Sequence, residues 1–137
     1  ELAIALALKG DYTNAVSAFE SALEMAPDDS WSRLLLGLVY NEMQQAEPAA
    51  EALLQAAAER PEDAEAQVLA ALSAAAVGWD DAATVTLARA EFAEETVDPE
   101  LIEEAHERLE EGADAARAFL RDSVGPAALH DRLLQPI

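Results

Sequence analysis

The chain has 137 residues, of which 28 are acidic and eight basic, for a formal net charge of −20. A field of that sign repels nucleic acid and anionic membrane surfaces, so the partners of matching charge are basic peptides, basic protein patches and cations. There is no cysteine for a disulfide frame or thiolate chemistry, and no apolar run reaches the roughly 18 residues of a membrane span, so membrane insertion is not expected and the compartment is left open.

Lys9 is the only lysine; the other seven cations are arginines. An acid-rich, lysine-poor surface resembles that of proteins from a high-salt cytoplasm, where salt screens self-repulsion. An alanine-rich protein of a bacterium with high genomic GC content gives the same composition.

Residues 1–9, ELAIALALK, are apolar or small at nearly every position, as in the second half of a helix buried on several sides. The expectation is that the chain starts in mid-helix, as a segment of something longer. Gly10 supplies a left-handed turn, and Asp11 is positioned to cap a helix over 12–25 with Ala15, Ala18, Phe19 and Ala22 on one face. Pro27 ends it, and Asp28, Asp29 and Ser30 offer caps for the next. The helix over 30–43 carries Leu36, Gly37 and Tyr40; its partner starts near Pro48, beside Glu47, and repeats the packing face as Ala49, Leu53 and Ala56.

A third pair turns at Gly78 and carries Ala83, Leu87 and Ala90. Glu95 stands where a closing proline is expected, and Asp98-Pro99 supplies the next start. The fourth pair is a weak copy. Ala105 continues the series Ala3, Gly37, Ala71, and Gly112 continues the series Gly10, Gln44, Gly78. Arg117 then falls in the place of Ala15, Ala49 and Ala83, and a one-residue deletion restores Ala116 and Leu120. After Gly125-Pro126, residues 126–137 form a short amphipathic helix with Leu129, Leu133 and Leu134 on one side, a lid or a cap.

These columns, recurring every 34 residues, resemble the tetratricopeptide repeat, a helix-turn-helix with a small residue in its first helix, Ala and a large residue in its second, and a closing Pro. Gly10-Asp11-Tyr12 with Ala15, Phe19, Ala22 and Pro27 carries the second half of the signature, and Gly37-Leu38-Val39-Tyr40 the first. The resemblance implies an all-α fold, a right-handed α-α superhelix of helical hairpins with a C-terminal capping helix. The whole of 1–137 then reads as one domain, with units 1–29 (truncated), 30–63, 64–97 and 98–125 (degenerate), closed by 126–137.

Chemistry is sparse. There is no phosphate-binding loop, dinucleotide fingerprint, nucleophile elbow or H-E-x-x-H motif, so no enzyme and no cofactor are expected. Glu103, His106 and Glu110 share a helical stripe with Glu107 nearby, a donor set for a divalent cation, yet a solvated acidic helix face explains them better. His130 beside Asp131 reads as an exposed contact, and Asp80 and Asp81 as a cap and first-turn charge.

In this family the first helices of successive hairpins line a concave groove that takes peptides. Carried over by the register, that groove comprises Ile4 and Leu8; Trp31, Leu34, Leu35, Leu38, Asn41 and Glu42; Glu65, Val68, Leu69, Leu72 and Ala76; and Ile102 and His106. Chaperone-binding members hold a terminal carboxylate there with Lys, Arg and Asn; Leu, Val, Ala and Glu stand in those places here, so that activity is not implied. An apolar groove calls for a cover, which a partner's amphipathic helix with basic flanks, a second copy of the chain, or the tail with Leu129, Leu133, Leu134 and Ile137 would supply. Leu34 and Leu72 also fit plain packing between hairpins. Trp31 is expected as an exposed contact and Trp79 as local packing. The reading is a non-enzymatic protein-protein interaction scaffold for an apolar or amphipathic segment, or else an assembly module that self-associates.

Overall fold

The computed structural model describes residues 2–93 and 98–135. Among them the chain is all helical: α1 Leu2–Leu8, α2 Tyr12–Met25, α3 Ser30–Glu42, α4 Ala46–Glu59, α5 Ala64–Ala76, α6 Asp80–Ala90, α7 Pro99–Glu111, α8 Ala113–Phe119, a π-helical turn Leu120–Val124, and α9 Gly125–Leu134. Helices pack as successive hairpins, α1 on α2, α3 on α4, α5 on α6 and α7 on α8, and each hairpin abuts the next. The expected departure at Glu95 lies outside the described residues, as does Ile137. No described helix is long and apolar enough to cross a membrane.

The 34-residue period is written in the backbone. Gly10, Gln44, Gly78 and Gly112 have φ of 82°, 60°, 83° and 116°, and the first three close their turns alike. Asp11, Gln45 and Trp79 donate their backbone N–H to the carbonyls of Leu6, Tyr40 and Ala74 at 2.9, 3.0 and 2.9 Å. Gly10, Gln44 and Gly78 donate to Ala7, Asn41 and Ala75, each at 3.0 Å. This pair of bonds satisfies carbonyls that a helix end leaves free, and it needs a left-handed residue, which glycine supplies without a steric cost. The fourth turn is shorter, because Gly112 both ends α7 and starts α8. A residue is therefore missing from that turn, so Ala116 is buried and Arg117 exposed.

Small residues set the helix spacing. Ala3, Gly37, Ala71 and Ala105 are all buried, as are their partners Ala15, Ala49, Ala83 and Ala116. At Gly37 the approach is closest, since an added Cβ would stand 2.7 Å from Leu53 Cγ. Phe19, Leu53, Leu87 and Leu120 fill the space between hairpins. Every residue of α5 except Glu65 is buried, so this helix is the centre of the core.

Capping follows the sequence in part. The Asp29 carboxylate accepts from the Ser32 N–H at 3.1 Å and hydroxyl at 2.6 Å, Asp63 from the Ala66 N–H at 3.1 Å, and Asp98 from the Glu100 N–H at 3.0 Å. Asp11 does not cap backbone; it accepts from the Asn14 amide at 2.8 Å. The N-cap of α6 is Trp79 rather than an aspartate, leaving Asp80 and Asp81 as first-turn charge.

The C-terminal segment turns back on the hairpins. α8 runs through the π-helical turn into α9, which packs on α3 and α1. Gly125 makes the approach possible: a Cβ there would collide with the Asn41 Nδ2 and the Leu120 carbonyl oxygen.

Candidate functional site

The face formed by α1, α3 and the start of α5 is covered by α9. Leu129 and Leu133 on α9 are buried against it, whereas Leu134, expected on the same side, is 60% exposed. In its place the buried polar residue of α9 is Arg132, only 7% exposed.

Arg132 is held on every side. Its Nη1 and Nη2 donate to the two oxygens of Asp63 at 2.8 and 2.9 Å, and its Nε donates to Glu65 at 2.9 Å. The guanidinium carbon lies 5.4 Å from the centroid of the Trp31 ring, and that of Arg60 lies over the same ring at 5.3 Å. Arg60 also donates from Nε to Asp63 at 3.3 Å. Burial alone would raise the Asp63 carboxyl and lower the Arg132 guanidinium. The charge-assisted bonds between them, with the Ala66 N–H and Arg60 on Asp63 and Glu65 on Arg132, outweigh it, so Asp63 sits below the usual carboxylate range and Arg132 above its own.

Trp31 is thus not an exposed contact but a half-buried wall of this site, its indole N–H buried without a hydrogen-bond partner among the described residues. Leu34, Leu35, Leu38, Val68, Leu69 and Leu72 are fully buried between hairpins, and Ala76 is buried beside them. Asn41 is buried, and its amide donates to the Leu120 carbonyl at 3.5 Å where the segment turns into α9. Ile4 is half-buried and Leu8 is 48% exposed. Ile102 is half-buried on α7, and the exposed His106 ring pairs with Glu91 at 2.9 Å across the turn after α6. Among the described residues no three acidic or histidine side chains could hold a metal ion.

At the other end of α9 the fit is looser. A cavity of about 170 Å³ remains between Leu8, Tyr12, Glu42, Pro126, Leu129 and His130. Burial raises the Glu42 carboxyl, and its Oε1 is buried without a partner among the described residues.

Sequence reasoning placed Trp31 and Glu65 in this site but missed Asp63 and Arg132. The signal for Asp63 was its N-cap place, 34 residues after Asp29. Arg132 carried none, because its partner lies 69 residues away.

No curated protein and no solved structure matches the chain. The profile of the family described as Tetratricopeptide repeat matches residues 6–76, just over half of the chain. The match runs from within α1 to the end of α5 and takes in the first two of the three turns that repeat one hydrogen-bond pattern. By sequence and backbone alike, the chain belongs to the tetratricopeptide repeat family, whose repeats serve generally as scaffolds for protein-protein interaction.

Proposed function

We propose that this chain is a non-enzymatic scaffold whose groove on α1, α3 and the start of α5 binds an amphipathic helix, with α9 as the resident occupant. The observation that carries this reading is the seating of α9: two leucines and an arginine of one short helix are buried against that face. Burying them removes an apolar surface that would otherwise face water. A partner helix of the same pattern would take the place of α9, and the acidic remainder of the surface favours partners with basic flanks.

The test is exchange in the full chain. A labelled peptide of residues 125–134 should bind a Leu133→Ala variant, whose own tail is loosened, more tightly than it binds the unmodified chain, with helicity by circular dichroism retained in both. Equal and negligible binding to both would count against the groove as a binding site.

Self-association is the second reading, favoured by an apolar cleft of about 320 Å³ formed by Pro61, Val85, Ala88, Arg89 and Phe92, where the Phe92 side chain is 85% exposed. Light scattering over a concentration series separates the two, since a dimer that loosens on Phe92→Ser would assign that cleft to a second copy.

A further inference from the structure

We infer that the groove selects its occupant by an arginine: Asp63, Glu65 and the Trp31 ring form a receptor for one guanidinium. The partner class is then an amphipathic helix bearing an arginine with a leucine three residues before it and another directly after, the pattern of Leu129, Arg132 and Leu133. The inference rests on the scaffold reading and adds what the scaffold reads.

The receptor has the chemistry of guanidinium recognition. A planar fork donates two parallel bonds to one carboxylate and a third to another, with an aromatic ring within cation-π range. A lysine ammonium has no fork to match Asp63 in this way, and a glutamine offers two donors and no charge.

The receptor also stands without its guest. Asp63 is only 2% exposed and is fixed by capping α5 through the Ala66 N–H and by Arg60, and Glu65 belongs to the first turn of the most buried helix. These contacts come from the turn between α4 and α5 and from α5 itself, so the Asp63 carboxylate keeps its place when α9 leaves.

The resident helix leaves groups in the groove unsatisfied. Among the described residues the Trp31 indole N–H and the Glu42 Oε1 are buried without partners, and α9 leaves a cavity beside Glu42. A helix that repeats the arginine and also brings a donor to Glu42 fits better than α9 does. α9 is therefore a self-ligand that sets a threshold: only a helix carrying the arginine displaces it from its tethered position.

The test uses the full chain carrying Arg132→Ala, which vacates the receptor, and a labelled peptide of residues 125–134 read by fluorescence anisotropy. A matching peptide carries Arg132→Gln. The arginine peptide should bind roughly 30-fold or more tightly than the glutamine peptide, the loss usual for a buried charge pair deprived of one member. Adding Asp63→Asn to the chain, which keeps the helix cap, should abolish the preference. Leu133→Ala serves as a second acceptor should Arg132→Ala fail to fold. Equal binding of the two peptides would overturn the arginine receptor and leave the scaffold reading standing; binding of neither peptide to either acceptor would overturn both.

Discussion

Gln44 holds φ at 60° in a turn where Gly10 and Gly78 make the same hydrogen bonds at no steric cost. Gln44→Gly should therefore stabilise the chain by about 1 kcal/mol in urea unfolding, the left-handed penalty of a side chain less the added freedom of the unfolded glycine. Gly37 predicts the reverse: a methyl group 2.7 Å from Leu53 must push hairpin helices apart, and Gly37→Ala should cost about 1–3 kcal/mol. Asp63 carries the acid sensitivity of the site. Its folded-state carboxyl titrates below its unfolded value, so the stability it contributes is complete above the ordinary aspartate range, about pH 4, and is lost as the pH falls further. A pH series of unfolding curves should show this loss, and Asp63→Asn should flatten it. The turn residues were legible because a period of 34 aligns Gln44 with three glycines. The role of Asp63 was half legible: the cap could be read from its place, whereas its partner could not.

At the level of the element, α9 is where sequence and structure differ most. Leu133 and Leu134 are adjacent, and neighbours on a helix point about 100° apart, so a stripe centred on Leu129 and Leu133 turns Leu134 toward water. That stripe includes Arg132, whose charge hid its burial from any hydrophobic reading. The element is held by chemistry from another hairpin, so breaking that chemistry should be costly. Arg132→Ala leaves Asp63 buried with its main counterion gone, and a loss of about 3 kcal/mol or more is expected in chemical denaturation. The fourth hairpin was legible as a degenerate copy, and its slip has a plain origin in a turn that lacks one residue before α8.

For the whole molecule, charge and packing act on different parts. A net charge of −20 spread over the surface opposes compaction, and salt screens it, whereas the buried Arg132 cluster is screened far less. The Tm should accordingly rise between low salt and about 1 M salt, where the Debye length is near 3 Å. The hairpin stack was legible from the repeat columns, since each column answers a local packing need. What covers the first-helix face was not, because three kinds of occupant bury the same leucines and the choice rests on a contact between distant residues. The most direct test of α9 as an exchangeable occupant is amide hydrogen exchange on the full chain, with and without millimolar peptide of residues 125–134. Exchangeable occupancy predicts that the amides of α9 lose protection when the peptide is added while those of α5 keep theirs. Protection of α9 that matches α5 and is unmoved by the peptide would contradict it, making α9 an inseparable part of the core.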